Sequence, residues 1–298
     1  MPELPEVEVV RAGLEPAVTG ATVESIVVYD QRSLRRHDGP SEDFVEQLTG
    51  RTIASAERRG KFLWLPLGGS GLDAGPQALV VHLGMSGQVL LRDRLTDDKL
   101  TRIRIELDHP EHGALRLNFV DQRIFGSMAI DSLGATPDHP SQLVPSAVAH
   151  IARDPLDERF DDKLFLDRLS RRNTGIKRAL LDQTLISGVG NIYADESLWA
   201  ARIHCDQPAS SLSRVKAKLL LTEVRLVLAK ALGEGGTSFD AQYVNVNGAS
   251  GYFSHSLNAY GQQGKPCPRC GTLIVRETFM NRGSHFCPRC QRLKLTPA

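Results

Sequence analysis

Short apolar runs dominate the first half of the chain. TVESIVVYD, RTIASAERRG, KFLWLPL, ALVVHLGM, GQVLLRD, RIRIEL and ALRLNFV all fall within residues 22–133. They are rich in β-branched and aromatic residues, and Gly, Asp and Pro turns separate them. Several such strands in about 110 residues predict an antiparallel sandwich or barrel. Ahead of them, residues 5–17 predict a short helix. Pro5 suits its first turn, Glu6 and Glu8 complement its dipole, and Val7, Val10 and Leu14 share a face. The GGSGLDAGP stretch at 68–76 reads as a loop, and no lysine follows its glycines as a phosphate-binding loop would require. Residues 134–160 are punctuated by Pro and Asp and read as a linker.

From 161 to 233 the period changes. KLFLDRLSRR, IKRALLDQTLI, ADESLWAARI and SRVKAKLLLTEVRLVLAKAL place apolar residues three and four apart, which predicts helices. Residues 234–264, rich in Gly, Asn, Ser and Tyr, show no period and read as a long loop of the functional or disordered kind. Nothing repeats internally except a doubled CPRC.

At 298 residues, 41% apolar and 24% charged, the chain has the composition of a soluble globular protein with two or three domains. No apolar run reaches the length of a membrane span, and MPELPEVEVV lacks the basic and apolar regions of a secretory signal. A cytosolic, reducing setting is expected. Net charge is only +1 but unevenly spread. Residues 261–298 carry seven Lys/Arg against one Glu, a balance of +6, leaving −5 on the other 260 residues. A basic module on an acidic body suits either a nucleic-acid patch or a solvated tail.

Five cysteines argue against a disulfide framework. Cys267-Pro-Arg-Cys270 and Cys287-Pro-Arg-Cys290, 16 residues apart, have the spacing of a zinc ribbon. TLIVRETFMNRGSHF between them reads as strand, turn, strand, which would bring four thiolates around one ion with no open position. The implied cofactor is one structural Zn2+. Cys205 reads as a buried small residue. Asn281, Arg282 and Gly283 fall at the hairpin turn, where an arginine is either a solvated charge or a phosphate ligand.

At the other end, removal of Met1 would leave Pro2 with a free secondary amine. An α-amino group titrates near about pH 8, so part of it is neutral at pH 7. Such an amine can attack a sugar C1′ to give an iminium, and Glu3 can supply a proton to the opening sugar. Taken alone, these residues describe a helix entry with acids nearby.

MPELPEVE, however, resembles the start of the formamidopyrimidine-DNA glycosylase branch of the Fpg/Nei family. The resemblance extends through Arg59-Gly60-Lys61, HLGMSG (82–87), DQRIFG (121–126), SGVGNIYADE (187–196), GGTSF (235–239) and NRGSHFCPRCQ (281–291). It implies a bifunctional enzyme of base excision repair that removes oxidised purines from double-stranded DNA and nicks the backbone. Pro2 is then the Schiff-base nucleophile, Glu3 the general acid, Glu6 a contact of the reacting site, and Lys61 an aid to elimination and a phosphate ligand. Met85, Arg123 and Phe125 match three side chains that fill the stack when a base is flipped out. Lys177 and Asn191 match phosphate ligands of a helix–two-turn–helix element. From its position alone Asn191 reads as an N-cap. Arg282 matches a phosphate-gripping arginine linked to the second elimination, and residues 237–253 match a segment that closes over the damaged base.

Two departures stand out. The family's D-P-R-R-F-G is here D-Q-R-I-F-G, with Gln122 and Ile124 in place of Pro and Arg, and a histidine expected around Lys99–Arg102 is absent. The expected architecture is α+β: an N-terminal antiparallel β-sandwich with its helix (1–133), a linker (134–160), a helix–two-turn–helix DNA-binding domain with the capping loop (161–260) and a zinc ribbon (261–298), with DNA in the cleft between. A monomer in a bacterial cytoplasm, associated with the nucleoid through DNA, is expected. The alternatives are the oxidised-pyrimidine branch of the family, and a non-catalytic DNA-binding homologue. The first is disfavoured by Leu4-Pro5-Glu6-Val7 and the complete wedge triplet, the second by retention of Pro2, Glu3 and Lys61.

Overall fold

The computed structural model describes residues 2–69, 75–136, 138–236, 246 and 252–294. It divides into two units, Met1–His150 with Gly235–Gly251, and Ile151–Glu234 with Tyr252–Ala298. Among the described residues no helix is long and apolar enough to cross a membrane. Most of the expected capping segment 237–253 and part of the 68–76 loop lie outside the described residues.

The first unit opens with helix α1 (Leu4–Val18), which buries Leu4, Val7, Val10, Leu14 and Val18. These positions follow the helical period, so one stripe meets the sheet. Strand β1 (Thr22–Val28) and a short second helix α2 (Ser41–Leu48) follow. Then come β2 (Thr52–Ile53), β3 (Glu57–Arg59), β4 (Phe62–Gly68), β5 (Gln77–His82), β6 (Gly87–Arg92), β7 (Thr101–His109), β8 (Gly113–Asp121), β9 (Ser127–Thr136) and β10 (His139–Pro145).

The strands run β10-β9-β5-β4-β2-β1-β7-β8-β6, with β3 paired to β4, and the pairings are antiparallel. The two-residue β2 is the seam. It meets β1 through Thr22 and Thr52, and β4 through two pairs. Alternate residues on both sides of that seam enter one core: Leu63, Leu65, Leu79, Val81, Met128 and Ile130 from one half, Val23, Ile103, Ile105, Leu117 and Phe119 from the other. A sheet whose two halves share a core has folded onto itself, which is the expected sandwich.

Two elements differ from the sequence reading. Helix α2 sits in a region read as strand and turn, with Phe44 and Leu48 turned inward. Residues 134–160, read as linker, hold the end of β9 and all of β10, and the first unit runs on to His150. Strand β10 ends the sheet path, so proline is tolerated and the apolar alternation that marks inner strands is not required. Val246 is buried in the first unit's core, where its carbonyl accepts from Leu91 N–H at 3.0 Å and its side chain presses on Gly13.

The second unit holds α3 (Asp162–Leu169), α4 (Ile176–Leu180), α5 (Asn191–Ala201) and α6 (Arg214–Gly233). Asp161 and Ser213 cap α3 and α6 through their side chains. Helix α5 is buried on nearly every side from Asn191 to Leu198, so it is the unit's central rod. A hairpin of β11 (Val275–Phe279) and β12 (Arg282–Phe286) completes the unit, pairing Phe279 with Arg282 across a turn in which Met280 takes φ 52. The whole is an α+β protein.

Candidate active site

Pro2 and Glu3 are both buried just ahead of α1. Glu3 is only 2% exposed, and its backbone N–H donates to Glu6 Oε2 at 2.8 Å. Glu6 thus fixes the backbone that carries Glu3. Gly236 (φ +83) runs so close to Glu6 that an added Cβ would lie 3.1 Å from Oε1. The left-handed backbone there favours glycine, and any side chain would also crowd the Glu6 carboxylate.

Lys61 follows the β3–β4 turn at Gly60. Arg58 ties this turn to α1, since it pairs with Glu8 at 2.7 Å and donates to Gly60 O at 2.9 Å. Glu8 also binds Arg11. Burial raises the Glu8 carboxyl pKa, but the hydrogen bonds from Arg11 and Arg58 outweigh it, and the group sits below the ordinary carboxylate range. The helix bearing the N-terminal pair and the turn bearing Lys61 are therefore braced by an ionised group.

Beside that turn lies a residue not singled out from the sequence, although its motif was. The His82 ring packs at a tilt against Phe62, with ring centroids 5.5 Å apart. Burial pushes its pKa down to about 4, and the charges of Arg36, Arg35 and Lys61 add to the effect. Its Nδ1 accepts from Gly84 N–H at 3.1 Å, so the neutral ring carries its proton on Nε2.

Met85, Arg123 and Phe125 stand on two adjoining turns. Met85 is 40% exposed and Phe125 47%, and Arg123 is exposed as well. A Met and a Phe that served the core would be buried. The turns are locked together. Asp121, fully buried, accepts from Arg123 N–H and Gly126 N–H and from the Ser86 hydroxyl. Gly84 (φ +63) lies against the Phe125 backbone, where a Cβ would fall 2.3 Å from the carbonyl carbon. On the opposite side, the Arg35 guanidinium donates to Ile124 O at 2.8 Å, to Gly126 O at 2.9 Å and to Phe125 O.

In the second unit, Lys177, Asn191 and the hairpin converge. Lys177 Nζ and Asn191 Nδ2 both donate to Gly283 O, at 3.4 and 3.1 Å, and Gly283 adjoins the exposed Arg282. Asn191 is the first residue of α5 rather than its N-cap, which is Gly190. Its side chain is spent on β12 instead of on its own helix. Lys177 is wholly buried, with Nζ 2.7 Å from Asp195 Oδ1 and 4.7 Å from the Phe279 ring centre. In this structure the ammonium faces Asp195 and the hairpin. A buried cation needs a buried anion, and Asp195 supplies it. Asp195 also accepts from Ser284 Oγ at 3.0 Å and His285 N–H at 2.8 Å, so one carboxylate ties α4, α5 and β12.

The sulfur atoms of Cys267, Cys270, Cys287 and Cys290 lie within 4.8 Å of one another. Four thiolates at about 2.3 Å from a tetrahedral zinc stand about 4 Å apart, so the cluster fits one ion and contracts little to hold it. Cys290 N–H points at Cys287 Sγ at 3.4 Å, and Gln291 locks this knuckle by accepting from Cys287 N–H and donating to Ile203 O, each at 2.9 Å. The set is closed, so the zinc is structural.

Three family models match in chain order: the formamidopyrimidine-DNA glycosylase N-terminal domain over residues 1–128, the formamidopyrimidine-DNA glycosylase H2TH domain over 151–242, and the zinc finger found in FPG and IleRS over 264–293. A formamidopyrimidine-DNA glycosylase of Leifsonia xyli subsp. xyli is 64% identical over 302 residues, covering 98% of this chain and all of that one. The chain belongs to the formamidopyrimidine-DNA glycosylase family. Another glycosylase of this name, from Thermobifida fusca, is 51% identical across 98% of the chain. Among solved structures, the Lactococcus lactis Fpg bound to DNA containing an abasic site is similar with TM-score 0.80 at 32% identity, covering 97% of this chain and 99% of its own. A MutM complex with DNA containing carbocyclic 8-oxo-G is similar with TM-score 0.80 at 32% identity, covering 98% and 100%. Solved structures of this family thus share the fold described above, and the ribbon cysteines fall within the matched zinc finger.

Proposed function

We propose that this chain is a repair enzyme that excises oxidised purines, 8-oxoguanine and formamidopyrimidines, from double-stranded DNA and then cuts the strand by β- and δ-elimination. The observation that carries the reading is Glu3, a buried acid held through its own N–H beside Pro2. Once Met1 is removed, the neutral Pro2 nitrogen attacks C1′ of the damaged nucleotide, and the C1′–N bond to the base breaks, the base leaving with the proton that the amine sheds. Glu3 gives a proton to O4′ as the sugar ring opens, leaving an iminium between Pro2 and C1′. Loss of a C2′ proton then expels the 3′-phosphate. Lys61 assists that elimination, and Arg282 binds phosphate for the second one.

The exposed Met85, Arg123 and Phe125 occupy the gap left by the flipped nucleotide, with Arg123 offering hydrogen bonds to the orphaned base and Phe125 separating the stack. Lys177 and Asn191 contribute through the hairpin that bears Arg282. Zinc keeps the ribbon folded and takes no part in bond breaking. The enzyme works as a monomer in the bacterial cytoplasm.

Borohydride trapping on a duplex with one 8-oxoguanine opposite cytosine tests the reading. Wild type with Met1 removed should give a covalent adduct mapping to Pro2, protein that retains Met1 should lose it, and Pro2→Gly and Glu3→Gln should reduce it. An adduct confined to oxidised-pyrimidine duplexes would transfer the chain to that specificity, and no adduct on either would leave a DNA-binding protein.

A further inference from the structure

The turn carrying Arg123 and Phe125 contains a residue in a conformation its type resists. Ile124 has φ 56, in the left-handed region that a β-branched side chain rarely enters. Such a conformation persists only where the surroundings over-determine it. Here they do so by charge. The N–H groups of Arg123 and Gly126 face the buried Asp121 carboxylate, while the carbonyls of Ile124, Phe125 and Gly126 face Arg35. Three carbonyl oxygens aimed at one point repel one another unless a cation stands there. The planar guanidinium, with several donors in a fixed fork, meets that need in a way that a lysine ammonium does not. Arg35 follows a 3-10 turn at Gln31–Leu34 that Asp30 caps, so its own backbone is set independently of the turn it grips.

We propose that Arg35 is a positioning residue for the stack-opening step. Its guanidinium holds the 121–126 turn in the strained form that presents Arg123 and Phe125 to DNA. The guanidinium is engaged by the carbonyls of the turn, so its effect falls on opening the duplex and not on imine chemistry. The Asp121–Ser86 bond and the Gly84 contact carry the same constraint to Met85. This inference rests on the wedge role of Phe125 set out above.

The test uses the full-length zinc-loaded protein with Met1 removed, on two DNA probes. One is a lesion duplex with 2-aminopurine beside the 8-oxoguanine, whose fluorescence reports unstacking. The other is a single-stranded abasic oligonucleotide, in which no stack has to be opened. Arg35→Met should slow fluorescence change and single-turnover excision together by roughly tenfold or more, while borohydride trapping on the single strand stays at the wild-type rate. Arg35→Lys should recover little. Adding Ile124→Gly to Arg35→Met should restore much of the opening rate, because glycine enters the left-handed region without strain. A general folding defect would not be rescued in this way. Wild-type opening by Arg35→Met, or equal losses on both probes, would overturn the proposal. Phe125→Ala with normal opening would overturn the wedge reading itself, whereas slow Phe125→Ala beside normal Arg35→Met would overturn the Arg35 role alone.

Discussion

His82 keeps a neutral ring among cations, and that choice has a measurable cost in acid. Its pKa in the folded chain is about 4, against about 6.5 when unfolded. Between those values the unfolded chain takes up a proton that the folded chain refuses. The contribution of this site is complete above pH 6.5 and is lost as pH falls through 4, about 3 kcal/mol in all. Urea unfolding of wild type and His82→Gln at pH 7.5 and 4.5 should show the larger acid loss in wild type. Equal losses would mean that His82 titrates normally. Single residues were also where the sequence was least legible. HLGMSG marked a motif without showing which of its members would be buried among charges. The burial of Lys177 left no mark in the sequence, because its partner Asp195 lies 18 positions away. Arg35 drew no notice, because what it grips lies about 90 positions further along.

Elements were read more surely where they face one core and less surely at edges. The stripe of α1 and the alternating inward residues of β7 can be seen in the chain because burial on one side imposes a period, whereas β4 and β8 stand out as short apolar or β-rich runs buried on both faces. Helix α2 has only eight residues, yet Glu42 and Asp43 in its first turn and the spacing of Phe44 and Leu48 are helix signals that a strand-rich context hid. Strand β10 leaves no such signal. Between elements, the Asp195 network makes a sharp prediction. Lys177→Met leaves a carboxylate, 1% exposed, without its cation, and should destabilise the second unit by about 3–5 kcal/mol in chemical denaturation. Adding Asp195→Asn should recover part of that loss. If Lys177→Met unfolds like wild type, the buried pair does not hold α5 and β12 together.

At the scale of the molecule, the small ribbon depends on something other than apolar burial. Its core cluster consists of Cys267, Ile274 and Cys287, with Trp199 and the other two cysteines packed against it. So few apolar groups cannot hold a hairpin without metal, and binding free energy becomes folding free energy. Chelation, or Cys267→Ala, should therefore abolish binding to lesion DNA while leaving the strand-rich first unit folded. Circular dichroism and a filter or gel assay separate the two effects. Retained binding after verified zinc removal would show that the hairpin stands alone. The ribbon was the part most legible in sequence, because ligand spacing is local. The sandwich seam was the least, since two residues of β2 join halves whose partners lie far apart along the chain.

The remaining cysteine gives the zinc site a second meaning. Cys205 is 3% exposed, and burial pushes its thiol up to about 11, so at neutral pH it is neither ionised nor reachable. Every other cysteine of the chain belongs to the metal cluster. Hydrogen peroxide, which attacks thiolates, thus meets reactive cysteine sulfur only at the ribbon. Oxidation of one ligand there and unfolding of the hairpin would be a single event, so the oxidants that damage DNA would also set how long this glycosylase keeps its ribbon.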